Sequence, residues 1–337
     1  MTAGRTTTAT TTTTTTTTTA GRDWDPVPDA HKVPFTWLDG ECVPTEQAVV
    51  PIMSYTLHYG LGVFEGIRSY DGDKGPAVFR LREHIERLFR SARMVRMEIP
   101  FAVDDVIAGC VEVLQKNQLR AGYLRPIAFV DDGKRGLGAS NNRVRLAVAT
   151  WPWGRYLGED GVKHGIRTQV SSTVRMNARS FMPKGKINGQ YVNSILAKRA
   201  AQHAGYDEAI LLDDDGFVAE ATGENLFLVR KGALITPPLA QPILEGITRD
   251  SILQIARAAG YDVREERFSK ETLISADEVF LTGTAAEVTP VREIDGYTVG
   301  AGGRGPVTEK LQATYFDAVH GRIAERLPWL TTYQLNS

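Results

Sequence analysis

The stretch Trp151-Pro-Trp-Gly-Arg-Tyr-Leu-Gly-Glu-Asp-Gly161 constrains the fold more than any other feature of this chain. Proline and glycine break both helical and strand periodicity, so the stretch predicts a connector. Its aromatic side chains predict that it packs over something instead of dangling. Before it, PFTWLDGECVP reads as two short strands around Asp39-Gly40. A hairpin follows, with Val63, Phe64, Ile67 and Tyr70 before the turn DGDKGP and Val78, Phe79 and Leu81 after it. Apolar residues at three- and four-residue spacing predict helices over Arg82–Val95 and Asp104–Leu119. Strands are predicted over Tyr123–Val130 and Arg143–Thr150. Beyond the connector come strand Ile166–Ser171 and helix Val192–His203, with Val192, Ile195, Leu196 and Arg199 one turn apart. A hairpin pairs Glu208–Leu212 with Phe217–Ala221. Strands Asn225–Val229 and Ala233–Thr236, helix Thr248–Ala259, strands Tyr261–Arg267 and Glu278–Thr282, and helix Val307–Ile323 complete the order. The expectation is an α+β protein of two domains, a smaller one over 31–150 and a larger one over 162–325, joined by 151–161.

Residues 1–25 stand apart. Threonine is unbroken from Thr10 to Thr19, and nothing apolar is available to bury, so disorder is expected there. The chain as a whole is ordinary in composition: 42% hydrophobic and 23% charged. Its 39 basic and 40 acidic residues give no electrostatic reason to expect nucleic acid or an anionic membrane as partner. Two distant cysteines, Cys42 and Cys110, make no disulfide framework and point to a reducing compartment such as the cytoplasm. No apolar run reaches the length of a membrane span, and no secretory leader pattern is visible. Histidine spacing matches no metal site, and neither HExxH, GxSxG, GxGxxG nor GxxxxGK[ST] occurs.

Three motifs carry chemistry. MPKGKINGQY (Met182–Tyr191) offers Lys184 and Lys186 ahead of a helix-like run, and spacing does not choose between them. FVAEATGENLF places Glu220 in an apolar strand, where it is either solvated or buried against a cation. LEGITRD opens a helix with Gly246-Ile247-Thr248. Free amides and the positive helix end favour an anion there, although the motif alone favours an ordinary N-cap. Gly283-Thr284-Ala285 is a second possible anion nest. An amine, a carboxylate and a phosphate-sized site are the parts that pyridoxal 5'-phosphate (PLP) requires. Two arginines complete the candidates. Arg87 falls off the apolar stripe of its helix, which predicts solvent. Arg125 shares a strand face with Tyr123 and suits either a substrate carboxylate or an edge or interface ion pair.

Together, LHYGLGVFEGIR, REHIERL, YLRPIAFV, WPWGRYLG, KINGQYVNS, AEATGENLF, LEGITRD and DEVFLTGTAAEVTPV resemble the fold-type IV, class IV PLP aminotransferases over about Trp37–Gly321, and most closely the branched-chain amino acid aminotransferases. The resemblance implies that Lys186 carries the cofactor and that Tyr191 bonds its phenolic oxygen. It implies that Glu220 meets the ring nitrogen, with Arg87, Leu244, Gly246, Ile247, Thr248, Gly283 and Thr284 also around the cofactor. Substrate would meet Tyr59, Phe64, Gly66, Tyr123, Arg125, Tyr156, Thr284 and Ala285, with Arg125 receiving the distal carboxylate of glutamate. Branched-chain L-amino acids and 2-oxo acids are the implied small-molecule partners, no metal is implied, and a homodimer is expected. A D-amino acid or (R)-amine aminotransferase and a 4-aminobenzoate-forming lyase are the alternatives on this fold. The basic loop Phe129–Asn142, with Lys134 and Arg135, departs from the family pattern and bears on acyl-chain preference.

Overall fold

The structure is a computed structural model that describes residues 27–28, 31–154 and 157–335. The threonine-rich tail read over 1–25 and Tyr156 lie outside these residues. Along the chain the elements are β1 (Phe35–Leu38), β2 (Glu41–Pro44), α1 (Tyr55–Tyr59), β3 (Gly62–Phe64), β4 (Ile67–Gly72), β5 (Gly75–Phe79), α2 (Leu81–Met94), α3 (Val103–Lys116), β6 (Gly122–Val130), β7 (Val144–Trp151) and α4 (Gly158–His164). They continue with β8 (Ile166–Val170), α5 (Tyr191–His203), β9 (Glu208–Leu212), β10 (Val218–Ala221), β11 (Asn225–Arg230), β12 (Ala233–Thr236), α6 (Ile247–Ala258) and β13 (Asp262–Glu265). The last are α7 (Lys270–Ile274), β14 (Glu278–Gly283), β15 (Glu287–Ile294), β16 (Tyr297–Thr298), α8 (Pro306–Val319) and β17 (Leu330–Thr332).

Two sheets organise these elements. The first runs β17-β5-β4-β6-β7-β1-β2, with β3 also on β6; the second runs β10-β9-β8-β15-β14-β11-β12-β13, with β16 on β15. Helices α2 and α3 bury Ile85, Leu88, Val106, Cys110, Val113 and Leu114 against the first sheet, as their three- and four-residue spacing predicts. Strands β11 and β14 are buried along almost their whole length, which explains their unbroken apolar runs. On one face they pack on α6 and α8 through Phe227, Phe280, Ile252 and Tyr315.

Four sequence expectations change. Val63 and Phe64 do not belong to the β4–β5 hairpin; they form β3 and pair with Ala128 and Ile127 of β6. Helix α8 stops at Val319 instead of Ile323, and the chain continues to β17, which joins β5 of the first sheet. Strand β15 was not foreseen, because Pro290 lies inside it. Proline is tolerated there because the parallel pairing with β8 begins only at Val291, one residue further on. Helix α5 reverses its expected orientation. Val192, Ile195 and Leu196 are exposed, while Ser194, Ala197 and Ala201 are buried toward β9. Small side chains allow the helix axis to approach the sheet closely, and the larger apolar ones are left outside.

Candidate active site

A cavity of about 70 Å³ lies between Gly66 and Tyr123 on one side and the start of α6 on the other. Its lining brings together Gly66, Arg87, Tyr123, Lys186, Leu244, Gly246, Ile247, Thr248, Gly283, Thr284 and Ala285 from widely separated parts of the chain. These are candidate residues from several of the sequence motifs. Lys186 follows the turn at Gly185, and its main chain is tied to Phe64 N and Ser91 Oγ. Its Nζ lies 2.6 Å from the Tyr191 hydroxyl and over the Phe64 ring. Lys184, two residues earlier, gives its ammonium to main-chain carbonyls outside the cavity. Geometry therefore separates two lysines that spacing left equivalent.

The anion end is built from α6 and α2. Gly246 is the N-cap of α6, with no side-chain cap, and Thr248 lies in the first turn, so the N-cap reading that assigned Thr248 to hold that turn does not describe it. The first-turn amides have no i−4 carbonyl to bond, which leaves donors for an anion. A Cβ on Gly246 would sit 1.9 Å from Asn225 Oδ1, so only glycine leaves Asn225 in place. Arg87 is buried, not solvated as its wheel position suggests. The reason is Glu65, fully buried on the β3–β4 link. Arg87 Nε and Nη2 donate to its two oxygens at 2.7 and 2.8 Å, and His84 Nδ1 lies 2.8 Å away. Arg87 Nη1 donates to Glu245 O. Burial works to raise the Glu65 carboxyl, but the Arg87 charge and the bonds from Arg87 and His84 prevail and hold it well below the usual range. Burial depresses His84, so the imidazole meets Glu65 as a neutral hydrogen-bonding group.

Glu220 stands behind the cavity wall. Its Oε1 pairs with Arg175 at 2.8 Å, and its Oε2 accepts from Asn225 Nδ2 and Leu244 N. Burial pushes its carboxyl up despite Arg175. The solvated alternative fails because a register shift between Val218 and Glu220 breaks strict alternation and every residue of β10 is buried. Next to it, Glu224 is pushed up to about 8 by burial and by the Glu208 charge.

Arg125 lies over Phe64, Tyr123 and Trp151 at 4.8–5.7 Å, and its Nε is buried without a partner. No ion pair holds it among the described residues, so the edge-pair alternative is not what is observed. The connector's Trp151 and Trp153 pack on Tyr123 at 5.1 and 4.6 Å, in keeping with the aromatic reading of that stretch. Gly66 matters sterically: a Cβ there would meet the Tyr123 hydroxyl at 1.9 Å. Tyr59 lies on α1, half exposed, its ring tilted against Tyr55 at 4.5 Å and outside the cavity lining. Lys134 and Arg135 are exposed, with Arg135 paired to Asp132.

Sequence reasoning missed Glu65, His84, Arg175, Asn225 and Thr282. Glu65 had a signal, a lone carboxylate between the buried-strand residues of VFEGIR. Thr282 Oγ1, a buried hydroxyl on the cavity wall, has no partner. With the glycine cradle and the first-turn amides, it leaves a donor set suited to a phosphorylated ligand.

Comparison with known proteins agrees with this geometry. The family described as amino-transferase class IV matches residues 62–294. The chain belongs to the class IV aminotransferases. It is 44% identical over 295 residues to a branched-chain-amino-acid aminotransferase of Pseudomonas aeruginosa, covering 88% of this chain and 96% of that protein. The crystal structure of the Escherichia coli branched-chain amino acid aminotransferase superposes with a TM-score of 0.88 at 43% identity, covering 89% of this chain and 99% of that one. The branched-chain amino acid aminotransferase of Thermobaculum terrenum, in its PLP-bound holo-form, gives 0.84 at 34% identity, covering 90% of this chain and 98% of that one. The two-sheet α+β architecture of this class IV aminotransferase is thus that of its relatives.

Proposed function

We propose that this aminotransferase moves the amino group of leucine, isoleucine and valine to 2-oxoglutarate, giving 2-oxo acids and L-glutamate, with PLP as cofactor. The observation that carries the reading is Lys186 Nζ, set in a cavity whose opposite end is a helix N-terminus flanked by Arg87. PLP, when bound, supplies an aldehyde for the amine and a ring that takes up the electron pair left on the substrate α-carbon. Lys186 Nζ carries the cofactor and, once released, moves the proton from that α-carbon. Tyr191, at 2.6 Å, holds the amine in line and donates toward the cofactor's phenolic oxygen. Glu220 supports the proton on the ring nitrogen, itself held in register by Asn225 and Leu244 N. The amides of Ile247 and Thr248, the Thr284 hydroxyl and Arg87 receive the phosphate. Arg125, half-buried, with its Nε buried and without an ion-pair partner among the described residues, receives the distal carboxylate of glutamate, and the Thr284–Ala285 turn receives the α-carboxylate. Phe64 and Tyr123 supply apolar surface for the branched chain, with Gly66 leaving room.

Residues 31–150 and 162–325 act as a smaller and a larger domain, with 151–161 as connector. The partition of β1–β7 and β8–β16 between separate sheets supports this. A homodimer is supported by exposed apolar side chains on α5 and around α1, including Ile52, Leu57 and Tyr59. A dimer across that face would also account for Tyr59 as a substrate residue, delivered to a neighbouring copy. Among the described residues no helix is long and apolar enough to cross a membrane. Cytoplasmic residence rests on the absence of a disulfide framework in the sequence.

A coupled assay with leucine, isoleucine, valine and an aromatic amino acid tests the substrate class. Activity confined to D-alanine or an (R)-amine, or pyruvate release without an oxo-acid acceptor, would replace this reading with one of the alternatives on the same fold. Borohydride trapping followed by peptide mapping must find the label on Lys186.

A further inference from the structure

Lys184 is left without a task once Lys186 is assigned, yet its surroundings are specific. It is half-buried, and its ammonium has three donors. They go to the carbonyls of Leu239, Gln241 at 3.0 Å and Ile243 at 3.1 Å. These carbonyls belong to Pro237–Gly246, a segment with three prolines and no regular secondary structure. Its own main chain supplies few ties, chiefly Gln241 N to Pro238 O and Ile243 N to Gln241 O. The end of this segment builds the site. Leu244 N bonds Glu220, Leu244 O accepts from Asn225, Glu245 O accepts from Arg87, and Gly246 caps α6.

We propose that Lys184 is a positioning residue that locks the 237–246 segment to the stretch bearing Lys186 and thereby sets the grip on the cofactor phosphate. Three carbonyls spaced at alternate residues turn inward to one cation, so the segment is held as a loop of fixed shape. The lysine that anchors it is separated by one residue from the lysine that faces the cavity. Lys184 thereby ties the stretch bearing the amine directly to the middle of the segment, while Glu220, Asn225 and Arg87 hold its end. Removing the ammonium leaves the Leu239 and Ile243 carbonyls without their donor, leaves Gln241 O with only Ile243 N, and lets Glu245 and Gly246 shift against Arg87.

This inference rests on the aminotransferase reading, and the experiment separates the two. Apo-enzyme is titrated with PLP and with pyridoxal, which lacks the phosphate, for the wild type, Lys184→Met and Lys184→Gln. Lys184→Met is expected to weaken PLP binding about tenfold, with a several-fold smaller loss for pyridoxal, because unpaired carbonyls relax the phosphate end. Lys184→Gln, which keeps two donors, is expected to recover part of that loss. If Lys184→Met does not fold, the wild type and Lys184→Gln are compared, and the same larger loss for PLP than for pyridoxal is expected. An unchanged PLP affinity in a folded variant, or equal losses for both ligands, overturns the role of Lys184. A wild-type chain that takes up no PLP overturns the reading on which it rests.

Discussion

At the scale of single residues, the environment decides which charges matter. Lys186→Ala is expected to lose at least about 10³-fold in transamination rate while remaining folded, measured by single-turnover kinetics and circular dichroism. Glu220→Gln should lower turnover about 10²-fold and also lower Tm, because the amide accepts at only one of the two positions and leaves either Arg175 or Asn225 Nδ2 and Leu244 N facing an NH2 group. Glu224 provides a pH test. Its carboxyl is held protonated by burial and by Glu208 up to about 8, whereas in the unfolded chain it ionises in the ordinary range. Across that window the folded state keeps a proton that the unfolded state has lost, so stability falls as pH rises. Glu224→Gln should flatten the decline in Tm between about pH 5 and 8, and a decline of unchanged slope would contradict the assignment. Much of this was legible in the residues, but not all of it. Lys184 and Lys186 have equivalent spacing, and only the turn at Gly185 directs one inward. Arg87 is invisible to a helical wheel because its partner, Glu65, lies on another element.

At the scale of elements, helix α2 and the β3–β4 link are joined by a buried charge cluster instead of apolar contact alone. Glu65 opposes Arg87 and His84 with essentially no solvent access. Glu65→Gln removes the charge while Arg87 stays buried, and about 3 kcal/mol of stability should be lost in urea unfolding. The sign with pH follows the Glu65 depression. Its contribution is present above the ordinary carboxylate range and lost as pH falls toward its lowered pKa. Helix α6 offers a steric test. Gly246→Ala adds a methyl that collides with Asn225 Oδ1, and PLP affinity should drop without any backbone strain, since Gly246 has φ −69. Periodicity located α2, α3 and α6 to within a residue or two at most ends because each has an apolar stripe against a sheet. It also located α5 but did not give its buried face, since small residues face inward and Val192, Ile195 and Leu196 face out. A hydrophobic pattern records what must leave water, and it does not say whether this chain or another copy covers it.

At the scale of the whole molecule, the two sheets are held by more than the connector. Arg68 donates to the carbonyls of Trp153, Gly154 and Ala285 and faces Glu287, which Tyr70 also bonds, so strand β4 reaches the second sheet directly. After α8, the chain crosses back. Arg80 N bonds Trp329 O, the Arg80 guanidinium lies over the Trp329 ring, and β17 zips onto β5. Deleting residues 324–337 should lower Tm and separate one calorimetric transition into two, because β5 loses its outer neighbour. The return was not legible, as LTT is too short to read as a strand. It carries a consequence for how the protein is made. The outer border of the N-terminal sheet is supplied by residues translated after every strand of the second sheet, so during synthesis that border stays open and ready to pair with a neighbouring nascent chain. Chains halted before Leu330 should therefore depend on chaperones more than the 337-residue chain.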